Sequence, residues 1–155
     1  FSRFARMPEV APRPVAFREI VESVEALYRG VPGTTWEIDI SPEVGTVRLD
    51  AEQMRRALIN LVDNAIAATG GKGSIRISAR VHEESGSLRI EVADTGPGIP
   101  EADRERMFLP DFSTKRRGTG LGLAIVHRVI TDHQGTIRVE ENLPKGARFV
   151  IEIPA

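Results

Sequence analysis

Apolar positions along this chain follow two periods. From Phe17 to Arg29, Ile20, Val21, Val24, Ala26, Leu27 and Tyr28 recur at helical spacing, and the run stops at Gly30 and Pro32, which predicts an amphipathic helix. A second helical face, formed by Met54, Leu58, Leu61, Val62, Ala65 and Ile66, follows Asp50, a candidate N-cap, and ends at Gly70-Gly71. A third is predicted from Leu121 to Asp132. Elsewhere the period is two. Trp36, Ile38 and Ile40 alternate with polar residues between Thr35 and Ile40, and further strands are predicted from Thr46 to Leu49, Ser74 to Val81, Ser87 to Ala93, Thr136 to Glu140 and Ala147 to Ile153. Glu84-Ser-Gly86 predicts a hairpin between two of them, and a short helix is expected after Pro100. The sum is helices layered on one face of a mixed sheet.

Two stretches follow neither period. Phe1, Phe4 and Ala5 share helical spacing ahead of Pro8, so the first residues read as the last turn of a helix belonging to something longer. Pro8-Glu-Val-Ala-Pro12-Arg-Pro14 then predicts a stiff, extended connector. This divides the chain into a helix end and linker, 1–14, and a compact domain, 15–155. Residues 109–119 hold Pro, Asp, Ser, Thr, Lys, Arg and Gly without apolar periodicity, which predicts a flexible loop.

At 155 residues one core can form, since a chain of this size buries about two-thirds of its surface on folding. The 21 basic and 22 acidic residues nearly balance, so no overall field favours a nucleic-acid backbone, and no nucleic-acid partner is expected. Absence of cysteine excludes disulfides and thiolate metal sites. No apolar run approaches the roughly 20 residues of a membrane span. A soluble, monomeric piece is expected, cytoplasmic in location, from a parent that a membrane could still anchor.

Chemistry concentrates in short motifs. Asn60 and Asn64, four apart in a helix, put two carboxamides on one face. An amide oxygen can ligate magnesium while its NH2 donates to phosphate. Asp94 ends an apolar strand and opens Asp94-Thr-Gly96-Pro-Gly98. A carboxylate there can accept from the adenine amino group, and the glycines let backbone approach the ring, although Asp, Gly and Pro also make ordinary turns. Gly118-Thr119-Gly120-Leu121-Gly122 lies between the predicted loop and a helix, where free N–H groups and the helix dipole favour phosphate. Lys115, Arg116 and Arg117 could add charge to the same anion. Phe108 and Phe112 flank the root of the loop, as a hinged cover requires, or as plain core residues would. The dinucleotide fingerprint, the P-loop and the protein-kinase HRD and DFG set are missing. His82, His127 and His133 do not share a face suited to a metal and read as structural.

Taken in order, these motifs resemble the catalytic ATP-binding domain of bacterial sensor histidine kinases, of the nitrogen-regulation type especially, within the superfamily of gyrase, mismatch-repair ATPases and heat-shock chaperones. The likeness covers about residues 15–155. Asn60 to Ala65 resembles the N box, Asp94 to Gly98 the first glycine box, Phe108 to Phe112 the F box, Gly118 to Gly122 the second glycine box, and Gly146-Ala-Arg-Phe149 the closing glycine motif. The resemblance implies a Bergerat-type two-layer α/β sandwich, with helices on one face of a mixed, mostly antiparallel sheet and a flexible ATP lid. It implies an ATP-binding set of Asn60, Asn64, Asp94, Gly96, Gly98, Ile99, Lys115, Arg116, Arg117, Gly118, Thr119, Gly120, Leu121 and Gly122, with Mg2+ on Asn64.

Hydrolysing relatives and anti-sigma serine kinases carry Glu at the position matching Asn60, and an amide cannot replace that base at neutral pH. This favours a protein-histidine kinase. Relatives often place a basic residue three positions after the second asparagine, where this chain has Ala67, so Lys115 or a neighbouring arginine is the candidate replacement. The resemblance further implies a phosphoacceptor His on a dimerising helical hairpin, of which Phe1 to Pro8 resembles the end, a homodimeric parent, and a response regulator as partner. The rival readings are a nucleotide-binding regulatory module that transfers nothing and an anti-sigma-type serine kinase.

Overall fold

The computed structural model describes residues 8–110 and 122–155. In chain order the elements are β1 (Arg13–Ala16), α1 (Phe17–Leu27), β2 (Thr35–Ile40), β3 (Thr46–Leu49), α2 (Ala51–Ala68), β4 (Ser74–Val81), β5 (Leu88–Asp94), α3 (Gly122–Asp132), β6 (Thr136–Glu141) and β7 (Ala147–Ile153). Short 3-10 turns stand at Pro42–Val44, Glu101–Asp103 and Arg106–Phe108, so the helix expected after Pro100 is a pair of such turns.

The main sheet has five strands in the order β2-β4-β5-β7-β6; β2 runs parallel to β4 and every other pair is antiparallel. The alternation seen in the sequence sets its two faces. Ile75, Ile77, Ile90, Val92, Phe149 and Ile151 point inward and are buried with Phe17, Val21, Leu58, Leu61, Val62, Val126, Val129 and Ile130 from the helices. This is the predicted two-layer sandwich. Charged residues alternate onto the other face. There Arg89, Glu91, Arg148, Glu140, Arg138 and Glu152 form a closed ring of opposite charges, with N–O separations between 2.6 and 3.9 Å. Two of those pairs, Arg89 with Glu152 and Glu140 with Arg148, are directly opposed across strands, so the ring favours the observed register.

Strand β1 was not predicted. It pairs with β3 as a separate two-stranded sheet, Arg13 opposite Leu49, and Pro14 is tolerated because this ribbon adds no third strand beside it. The Pro-rich stretch before it is fastened to α2: the Gln53 side-chain amide donates to the Pro8 carbonyl (2.9 Å) and the Ala11 N–H donates to Asp50 Oδ2 (2.9 Å). Asp50 also caps α2, accepting from the Gln53 N–H at 3.0 Å.

Helix α1 ends two residues earlier than the apolar pattern predicts, because Tyr28 leaves helical geometry. The Tyr28 hydroxyl donates to Asp63 Oδ1 on α2 (2.8 Å), and its ring lies against Trp36 at 5.8 Å between centroids. Burial and the adjoining carboxylate push the phenol well above its ordinary pKa. Tyr28→Phe is therefore expected to lower stability by about 1 kcal/mol, below the usual worth of a bond to a charged acceptor because Asp63 is exposed and can return to water. A urea titration of both proteins measures it.

Candidate functional site

The site is assembled where α2, the end of β5 and the β6–β7 connection meet. Asp94 is the last residue of β5 and is only 2% exposed. Its Oδ1 accepts from the N–H groups of Gly96 (2.8 Å) and Ala147 (3.3 Å), while Oδ2 takes no hydrogen bond from another described residue. Burial holds the carboxyl pKa above its ordinary value, and the two N–H donors pull back against that rise. A fixed carboxylate with one oxygen left over is an acceptor waiting for an external donor.

The glycines after Asp94 have reasons of their own. A Cβ on Gly96 would lie 2.8 Å from the Ala68 carbonyl oxygen, so this glycine lets the turn press on the C-terminal end of α2. Gly98 has φ of +85° and stands close to the Gly146 carbonyl. The sequence suggested that both glycines admit a ring; the structure shows that they first admit neighbouring backbone. Ile99 is partly buried against the core, and its carbonyl accepts from Arg104 Nε at 3.1 Å.

Asn60 and Asn64 stand on one side of α2, both partly buried. The Asn60 amide donates to the carbonyl of Gly122, the first residue of α3, at 3.2 Å, which ties α2 to the start of α3. Among the described residues, neither the Asn60 oxygen nor the Asn64 carboxamide has a hydrogen-bond partner. Lys115, Arg116, Arg117, Gly118, Thr119, Gly120, Leu121 and Phe112 lie outside the described residues. Phe108 is buried edge-on to Phe149 (6.1 Å between centroids) and beside His127 (5.9 Å), which fixes the residue before that stretch in the core. A groove of about 630 Å³ between Phe108, α3 and β6 contains neither asparagine nor Asp94.

The histidines hold structure together. His133 Nδ1 lies 2.8 Å from the Val129 carbonyl, and its Nε2 accepts from the Asp50 N–H at 3.0 Å, joining the end of α3 to the start of α2. His82 Nδ1 accepts from the Ser85 N–H inside the β4–β5 turn. No group of three or more His, Cys, Asp or Glu suited to a metal occurs among the described residues. None of the helices among the described residues is long and apolar enough to cross a membrane.

Sequence reasoning missed the support behind Asp94. Asn142, in the β6–β7 connection, donates from its side chain to the Asp94 carbonyl at 2.8 Å, and Gly146 packs directly on that carbonyl. An Asn four residues before the closing glycine is the signal that could have drawn attention to this turn.

A five-stranded mixed sheet covered on one face by α1, α2 and α3 is the architecture of a known class of ATPase domain. The family of histidine kinase-, DNA gyrase B- and HSP90-like ATPases matches residues 49–155. The chain belongs to this family. It is 37% identical over 137 residues to the adaptive-response sensory kinase SasA of Synechococcus sp. strain JA-2-3B'a(2-13), covering 84% of this chain and 36% of that protein. The structure of full-length ShkA in complex with AMPPNP superposes with a TM-score of 0.86 at 32% identity, covering 97% of this chain and 33% of that one. Histidine kinase ThkA in complex with the response regulator protein TrrA gives a TM-score of 0.79 at 32% identity, covering 94% of this chain and 42% of that one. The chain spans about a third of the curated relatives it matches. Fold and family are those of the ATP-binding catalytic domain of sensor histidine kinases.

Proposed function

We propose that this domain binds Mg-ATP and delivers the γ-phosphoryl group to a histidine on the dimerisation helices of its parent, for onward transfer to an aspartate of a response regulator. The observation that carries the reading is Asp94, buried, held through one oxygen and without a described partner at the other, in a domain whose α2 carries two asparagines instead of the Asn–Glu pair that activates water. Asp94 Oδ2 accepts from the adenine amino group. Asn60 and Asn64 meet the phosphate end, with the charge of Lys115, Arg116 or Arg117. Full-length ShkA, a third of which shares this fold, is seen in complex with AMPPNP, and ThkA in complex with a response regulator protein, which supports both ends of the relay.

The donor set fits magnesium brought in on the nucleotide. The described residues hold no carboxylate or imidazole cluster that would retain the ion alone, whereas the unpartnered Asn64 oxygen suits an ion that keeps phosphates and waters as its other ligands. Held by Asn64, Mg2+ would supply neutralisation of charge on the phosphoryl group. The remaining work of the chain is placement: the γ-phosphorus–oxygen bond breaks, a phosphorus–nitrogen bond forms at the acceptor imidazole, and ADP is left. The domain works in the cytosol, where ATP and the regulator are, whether or not its parent is anchored in a membrane.

The test is to mix this domain with Mg-ATP and a separately prepared dimerisation hairpin from the parent. Acid-labile, alkali-stable phosphohistidine is expected on the hairpin and none on this domain alone. Tight ATP binding with no phosphohistidine at any ratio would leave a nucleotide-binding module and overturn the kinase reading.

A further inference from the structure

The hydrogen bonds around Asp94 come from a segment some fifty residues further along the chain, since Asn142 and Ala147 lie 48 and 53 residues away. The N–H of Ala147 goes to the carboxylate, and the side-chain amide of Asn142 goes to the backbone carbonyl of the same residue. Beyond the last β5–β7 pair, Ala93 opposite Arg148, the strand end is therefore held by side-chain as well as main-chain atoms. Asn142 is itself fixed. Its N–H donates to the Gly146 carbonyl at 2.9 Å, and its amide nitrogen also reaches the Lys145 carbonyl at 3.4 Å. Both hydrogens of that amide are thus directed, one to the hairpin and one to Asp94.

We propose that Asn142 is a positioning residue that aims the free oxygen of Asp94, and so sets how strongly the site prefers a purine with a 6-amino group over one with a 6-oxo group. This rests on the reading that Asp94 binds adenine. A 6-oxo purine presents an acceptor where adenine presents a donor, so a rigid carboxylate facing it leaves two acceptors opposed and rejects it. The rejection needs the carboxylate to stay where it is. Once the Asp94 carbonyl loses Asn142, the strand end shifts, water enters between carboxylate and base, and either purine can be met through that water. A residue that only closed the hairpin would weaken the fold and the affinity for both purines alike.

The measurement is the ratio of ADP to IDP affinity by calorimetry, with magnesium present, on the wild type, Asn142→Ala and Asn142→Leu, the last keeping side-chain size without a donor. Tyr28→Phe, whose lost hydrogen bond is to Asp63 and not to Asp94 or Asn142, controls for lost stability. The ratio is expected to fall about fivefold in both Asn142 variants, the worth of one neutral hydrogen bond, and to hold its wild-type value in Tyr28→Phe. Should the alanine variant fail to fold, the leucine variant is read alone. An unchanged ratio in the folded Asn142 variants, with Asp94→Asn collapsing it, overturns the positioning role and leaves adenine recognition by Asp94 standing. A ratio unmoved by Asp94→Asn itself overturns both.

Discussion

Asp94→Asn is expected to weaken adenine-nucleotide binding by one to two orders of magnitude, because a hydrogen bond to a charged acceptor is worth roughly 1.5–3 kcal/mol. The substitution changes few atoms but inverts one function. The Asn oxygen is held in place by the Gly96 and Ala147 N–H groups that now hold Oδ1, which leaves its NH2 where Oδ2 was. That group then faces the adenine amino group donor to donor. Calorimetry with Mg-ADP on both proteins gives the loss, and an affinity within twofold of wild type would mean that the base lies elsewhere.

The same substitution is expected to make the nucleotide-free domain more stable. Burial raises the Asp94 pKa above its ordinary 3.8, so the folded state binds the proton more readily than the unfolded state. Stability then falls as pH rises between the ordinary value and the raised one, and the penalty is complete above both. Neutral pH lies on the penalised side. Asparagine carries no charge to desolvate, so the melting temperature of Asp94→Asn should exceed that of the wild type at pH 7, and the gap should close as pH falls through that window. A domain kept less stable by the carboxylate that binds its ligand is a stability–function compromise of a common kind. A gap that widened toward acid would contradict the burial argument.

Most of the sheet and the three helices could be read from the sequence because each has one buried face, and burial imposes a period. Phe149, Ile151 and Ile153 show it in β7, as do Met54, Leu58, Leu61 and Ala65 in α2. Strand β1 could not be read. Four residues that include Pro14, half-buried at most, give the alternation nothing to act on. Helix ends also escaped: Tyr28 looks helical by spacing, yet its hydroxyl is drawn to Asp63 across the interface, a contact 35 residues away that local pattern does not contain. Asp94, Asn60 and Asn64 could be proposed for the site from sequence because the chemistry they offer is in their own side chains. Asn142 was not, because its contribution is to another residue's carbonyl. Gly96 was visible as a residue but not as a contact with Ala68, which only the packing of α2 on β5 brings about.

Gly146→Ala is expected to be the most damaging single-methyl change in the described part of the domain. Gly146 has φ of +118°, a conformation that a side chain resists. Its added Cβ would run into the Asp94 carbonyl oxygen and lie 2.7 Å from the carbonyl carbon and 3.0 Å from Thr95 Cα. These are backbone atoms, so no rotamer change relieves the clash. Nor can Gly146 withdraw cheaply, since its own carbonyl holds the Asn142 N–H. Strain and overpacking, about 1–3 kcal/mol each, sum to about 2–6 kcal/mol, a large part of the roughly 5–15 kcal/mol that keeps a domain folded. Gly30→Ala is the matched control: nothing lies within 4 Å of its added Cβ and its φ is not positive, so its effect should stay within about 0.5 kcal/mol. Urea titrations of the two variants measure the difference. Any folded remainder of Gly146→Ala should bind ADP more weakly than its stability alone explains, because relief of the clash must part the hairpin from Asp94 and with it the Ala147 N–H that holds the carboxylate. If instead the variant keeps wild-type affinity once folded, the β6–β7 connection supports the fold without aiming the carboxylate.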